Sequence, residues 1–79
     1  MKAKSVIVYS TRSCPYCDMV KAYLRAKKVS FEEIDVGSDR NKATEMVAKS
    51  GQMAVPVVEI NDAVIVGFDK KAIDEELAK

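Results

Sequence analysis

Cys14 and Cys17 are the only cysteines of the 79-residue chain, and only Pro15 and Tyr16 separate them. Thiols at this spacing can form a disulfide, hold two corners of a metal tetrahedron, or exchange electrons with a substrate disulfide. A structural crosslink here would close a very small loop, and loop-closure stabilisation grows with loop length. A metal site needs further nitrogen or sulfur ligands. The chain has no histidine and no third cysteine, so such a site could close only between two chains or with an outside thiol. The missing histidine also removes a Cys–His nucleophile pair.

The residues around the pair favour exchange. Proline suits the first position of a helix, where its missing N–H is not needed, and this makes Cys14 the expected N-cap. A sulfur there sits where unpaired backbone N–H groups converge and where the helix dipole contributes about half a positive charge, both of which favour thiolate over thiol. Cys14 is therefore the expected nucleophile. Cys17, one turn inside the helix, is placed to attack the resulting mixed disulfide and release the reduced product. Pro15 limits backbone freedom between the two sulfurs.

The elements that must position this pair are legible from pattern. Residues 4–10, KSVIVYS, carry consecutive β-branched and aromatic residues, as a strand buried on both faces does (β1). From Pro15 to about residue 28, Val20, Tyr23 and Leu24 recur at helical spacing (α1). Residues 29–36 read as a second strand (β2), closed by Gly37. Asp39 caps a helix over residues 40–50 (α2), with Ala43, Met46 and Val47 on its inner side and Gly51 just past its end. Residues 56–60 and 63–67 (β3 and β4) flank Asn61-Asp62 as a hairpin. Asp69 then caps a last short helix (α3), with Ile73 and Leu77 turned inward.

The resulting order, β-α-β-α-β-β-α, is an α/β arrangement. A parallel βαβ unit is followed by two antiparallel strands, giving a four-stranded mixed sheet with helices on both faces. Residues 1–79 are expected to form one domain, since a chain of this length supports one modest core.

Composition narrows the function classes. Thirteen Lys and Arg against twelve Asp and Glu leave a formal charge of +1. There is no net electrostatic case for nucleic acid or an anionic membrane. The apolar runs are too short to span a bilayer, and residues 1–9 lack the apolar region of a secretory signal. A cytoplasmic location is expected, where a lone close cysteine pair is more often catalytic or metal-binding than structural. Arg12, Lys21 and Arg25 are expected to give the thiolate a cationic surround.

The residues VYSTRSCPYC, then AVPVVEI, then GFDKKAI resemble the glutaredoxins and glutaredoxin-like redoxins of the thioredoxin superfamily, across essentially the whole chain. That resemblance implies a thioredoxin-like fold with sheet order β2-β1-β3-β4, a monomer, and a thiol-disulfide oxidoreductase reducing protein disulfides, ribonucleotide reductase among the candidate substrates. It implies a cis bond at Val55-Pro56, with the backbone of Val55 offered to a substrate chain for β-type pairing beside Cys14. No tightly bound cofactor is implied, and glutathione is a candidate co-substrate.

The residues expected to bind substrate or thiol are Thr11, Arg12, Pro15, Tyr16, Gln52, Ala54, Val55, Pro56, Gly67, Phe68 and Asp69. Glutathione-using members hold the glycine carboxylate with a lysine where this chain has Thr11. They hold the γ-glutamyl end with a Gly-Gly-x-Asp-Asp stretch where this chain has Val66-Gly67-Phe68-Asp69-Lys70. Lys70 in place of a carboxylate reverses the charge offered to the glutathione ammonium. Gly67-Phe68 and the apolar Val-Pro-Val-Val are similar to the NrdH-type redoxins, which are reduced by thioredoxin reductase. A dithiol redoxin with weak glutathione dependence is the favoured expectation; a glutathione-dependent glutaredoxin and a cluster-sharing dimer are the alternatives.

Overall fold

The computed structural model describes residues 5–78. Its elements are β1 (Val6–Ser10), α1 (Pro15–Ala26), β2 (Glu32–Asp35), α2 (Arg40–Ser50), β3 (Val57–Ile60), β4 (Ala63–Val66) and α3 (Lys70–Leu77). The expected order and sheet arrangement both hold: the strands lie as β2-β1-β3-β4. β1 and β2 are parallel, while β3 runs antiparallel to β1 and β4 antiparallel to β3. The expected start of β1 at residue 4 lies outside the described residues.

Two apolar layers sandwich the sheet. Val6 and Val8 of β1, Val58 and Ile60 of β3, and Ile65 of β4 pack with Val20 and Leu24 of α1 and Ile73 of α3. On the opposite face Tyr9 and Val57 pack with Met46 of α2. Both faces of β1 are thus covered, as its unbroken apolar run requires. Burying a side chain such as Leu24 or Ile73 contributes about 1.5–3 kcal/mol, and both are fully buried.

The boundaries differ from expectation where local chemistry intervenes. α1 stops at Ala26, because Lys28 adopts a left-handed conformation with φ 60°. The Lys28 N–H donates to the Arg25 carbonyl and the Val29 N–H to the Leu24 carbonyl, which is the double bond of a Schellman ending. Val29 and Phe31, expected in β2, instead pack against the α1 layer, and the strand begins at Glu32. β3 begins at Val57, one residue late, since Pro56 has no N–H for the ladder. β4 ends one residue early, where Gly67 turns the chain with φ 82°.

The register fixes where the loops gather. Ser10 and Asp35 end their parallel strands side by side, Tyr9 lies opposite Val57, and Val57 lies opposite Val66. Residues 11–14, 35–38, 55–56 and 67–69 therefore all emerge at one end of the sheet.

Candidate active site

At that end Cys14 caps α1 in an extended conformation, and its Sγ accepts the backbone N–H of Cys17 at 3.1 Å. The two cysteines are joined as a disulfide with their Cα atoms 5.2 Å apart. Cys14 keeps 8% of its surface exposed, whereas Cys17 is fully buried. Of the two, only Cys14 keeps any surface open to solvent. Tyr16 stands on the outer rim at 61% exposure, and Pro15 beside it is also exposed.

The Val55-Pro56 bond is cis. The Pro56 carbonyl accepts the N–H of Gly67 at 2.8 Å, which ties the start of β3 to the turn before α3. In that turn the Asp69 carboxylate is engaged as the N-cap of α3, accepting the Ala72 N–H at 3.1 Å. Phe68 turns toward α1, where its ring meets Tyr23 edge-on at 5.7 Å between centroids. Ala54 is exposed in the segment leading to Val55.

Gln52 lies in the segment between α2 and the Val55-Pro56 turn. Its backbone exchanges hydrogen bonds with the Ser50 hydroxyl, at 2.9 and 3.3 Å, at the C-terminal end of α2. The next residue, Met53, lies against Arg40, Ala43, Thr44 and Val47 of α2.

Thr11 and Arg12 line a pocket of about 400 Å³ with Ser13, Asp35, Gly37 and Ser38. Asp35, Gly37 and Ser38 were not among the expected site residues. The βαβ pattern carried the signal, since parallel neighbours end at the same edge. Gly37 brings the two loops together: a Cβ there would lie 3.1 Å from Asp35 Oδ1 and 3.7 Å from Thr11. Asp35 accepts the Gly37 N–H at 2.9 Å, and its other oxygen lies 3.8 Å from the Arg12 guanidinium.

The cationic surround is smaller than expected. Lys21 donates to Glu33 at 2.6 Å and lies 3.5 Å from Asp18, so its charge is matched within the fold. Glu33 also accepts the hydroxyl of the buried Ser10 at 3.0 Å. The Lys21 hydrogen bond, with Ser10 adding to it, holds the Glu33 carboxyl below its ordinary range, and Glu33 raises the Lys21 ammonium in turn. Arg25 lies over the Phe31 ring instead of facing the cysteines. Among the described residues no group of three or more Cys, Asp or Glu side chains is arranged to hold a metal ion.

The geometry is that of a cysteine pair at a helix start, at the end of the sheet where the cis-proline turn also lies. The glutaredoxin family model matches residues 6–65. The chain belongs to the glutaredoxin family.

Among curated relatives, an uncharacterized glutaredoxin-like 8.6 kDa protein in the rubredoxin operon of Clostridium pasteurianum is 40% identical over 72 residues, covering 91% of this chain and 96% of that one. Glutaredoxin 3 of Escherichia coli is 38% identical over 65 residues, covering 82% of this chain and 78% of that one. Among solved structures, the glutaredoxin-like NrdH-redoxin of Escherichia coli superposes with a TM-score of 0.82 at 24% identity, over 90% of this chain and 92% of that one, a likeness of fold. Family and cysteine pair together make this glutaredoxin a thiol-disulfide oxidoreductase, with the thioredoxin-like fold anticipated from its sequence. No helix among the described residues is long and apolar enough to cross a membrane.

Proposed function

We propose that this protein reduces protein disulfides as a cytoplasmic, monomeric dithiol redoxin, with Cys14 as nucleophile and Cys17 as resolving thiol. The observation that carries the assignment is the asymmetry of the pair: Cys14 caps the helix and reaches the surface, while Cys17 is fully buried one turn inside. The Cys14 thiolate attacks a substrate disulfide, forming a Cys14–substrate disulfide and expelling one substrate thiolate, which takes up a proton. The Cys17 thiol then loses its proton and attacks Cys14 Sγ. The Cys14–Cys17 disulfide forms and the second substrate thiolate leaves and is protonated. The substrate gains two electrons and two protons, and the protein's dithiol has lost them. The backbone of Val55 beside the pair is available to align the substrate chain by β-type pairing.

We further propose a thioredoxin-reductase-type donor and weak dependence on glutathione. Three placements support this reading. Thr11 stands where a carboxylate-binding lysine would serve glutathione. Its cationic neighbour Arg12 already faces Asp35, whose charge opposes a second carboxylate in that pocket. Lys70 lies over the Phe68 and Tyr23 rings and puts an ammonium where an acidic group would receive the glutathione amine.

NADPH-coupled turnover with a protein disulfide tests the donor. Efficient turnover is expected with thioredoxin reductase. Equally efficient turnover with glutathione and glutathione reductase alone would overturn the proposal.

A further inference from the structure

One surface next to the cysteine pair is left unused by this chemistry. Met19, Ala22 and Tyr23 of α1 face Phe68 and Lys70 at the start of α3 across an open groove of about 370 Å³. Met19 is 47% exposed, a high value for a large apolar side chain one turn from Tyr16, itself exposed. The groove is thus continuous with the rim of the active site. It also joins the proline turn, because Phe68 follows Gly67, which is bonded to Pro56.

The groove's floor is held firmly. Phe68 meets Tyr23 edge-on, and the Tyr23 hydroxyl donates to Asp74 at 2.6 Å. Lys27 also pairs with Asp74, at 3.2 Å, so its charge is matched. Lys70 differs. Its ammonium lies 5.6 and 5.8 Å from the two ring centroids; among the described residues it forms no close ion pair and acts on Asp74, already held by Tyr23 and Lys27, only at longer range. An apolar trough with a cation on its rim that makes no close ion pair is complementary to an apolar side chain next to a carboxylate. Methionine, unbranched and polarizable, suits such a trough because it adjusts to differently shaped partners.

We propose that this groove is a docking site for a polypeptide segment of the disulfide-bearing partner, which seats an apolar side chain against Met19, Tyr23 and Phe68 and a carboxylate on Lys70. The proposal rests on the reading that proteins are the substrates. Glutathione, which has no apolar side chain, leaves the trough unfilled.

The test uses the full chain, reduced beforehand, in single turnover against peptide disulfides, so that no electron donor enters. One peptide carries Leu and Glu close to its cysteine; two counterparts carry Ser for Leu or Lys for Glu. The ratio of rate constants between peptides is read within each protein, which cancels any change in thiol reactivity. The wild type is expected to favour the Leu and Glu peptide about fivefold or more over each counterpart, the size of one exposed ion pair or one apolar contact. Lys70→Glu should reverse the Glu-over-Lys preference, and Met19→Ser should abolish the Leu-over-Ser preference. A wild type that treats the three peptides alike would overturn the proposal, as would ratios that neither substitution moves. A variant that shifts glutathione-coupled turnover while leaving the peptide ratios intact would overturn it too. Because the donor assay is separate, loss of the peptide preference and success of glutathione as donor are different results.

Discussion

The Sγ of Cys14 accepts the backbone N–H of Cys17 at 3.1 Å, so the sulfur of the less buried cysteine takes the place an N-cap oxygen usually holds. The same contact joins two roles. It satisfies an orphan donor of the first helical turn, and it points backbone N–H dipole at the atom on which negative charge develops when a disulfide is attacked or released. Substitutions at the two cysteines should accordingly be unequal.

Cys14→Ser is expected to lose all disulfide reduction while keeping the helix cap, since serine is itself a preferred N-cap. Cys17→Ser should complete the first attack and stop there. Mass spectrometry of the variant after exposure to a peptide disulfide should show one peptide held on Cys14. In the reduced wild type, Cys14 should be alkylated well before the buried Cys17; the opposite order would reverse the assigned roles.

Glu33 joins α1 to the sheet through Lys21 and the buried Ser10. Its carboxyl sits below the ordinary value in the fold, so its contribution to stability is present above about pH 4.5 and is lost as pH falls through the lower, folded value. Lys21 is shifted upward, so its share is full below about pH 10.5 and is lost only at higher pH. Glu33→Gln should cost roughly 0.5–1 kcal/mol between these limits, a small figure because Glu33 is partly solvated. Urea unfolding of the two proteins should converge progressively as pH falls below about 4.5.

Lys28 ends α1 with φ 60°, a conformation that costs an L-residue roughly 1 kcal/mol or more and glycine little. Lys28→Gly should stabilise the protein by about 0.5–1 kcal/mol, the gain being trimmed by the freer unfolded chain. Thermal unfolding should shift upward by a few degrees, about 4–8 °C per kcal/mol for a domain of this size.

Met46 is the one fully buried side chain of α2, packed with Tyr9 and Val57. Met46→Ala should cost about 2–5 kcal/mol. The far face of the sheet then loses its main anchor, and the segment from Gly51 to Val55 that returns along α2 should become the first to exchange amide hydrogens. Hydrogen exchange followed by mass spectrometry would show this.

Much of the molecule was legible from residues a few positions apart. Pro15 after Cys14, Asp39 and Asp69 ahead of their helices, Gly51 behind one, and the apolar run of β1 each act within a single turn or strand. Such signals need no knowledge of the rest of the chain. They were enough to order the elements and to set Cys14 at a helix start.

Pairings between distant residues were not legible. Asp35 facing Arg12, Glu33 taking Lys21 away from the cysteines, and Phe68 and Lys70 closing a groove against Met19 and Tyr23 all depend on strand register and helix placement. The same holds for the stop at Ala26, where a lysine takes the turn normally given to glycine because Val29 packs with Leu24 in the shared core. Local chemistry selects the elements and the reactive sulfur. Which charges remain unmatched around that sulfur follows only once the whole core has fixed how those elements meet.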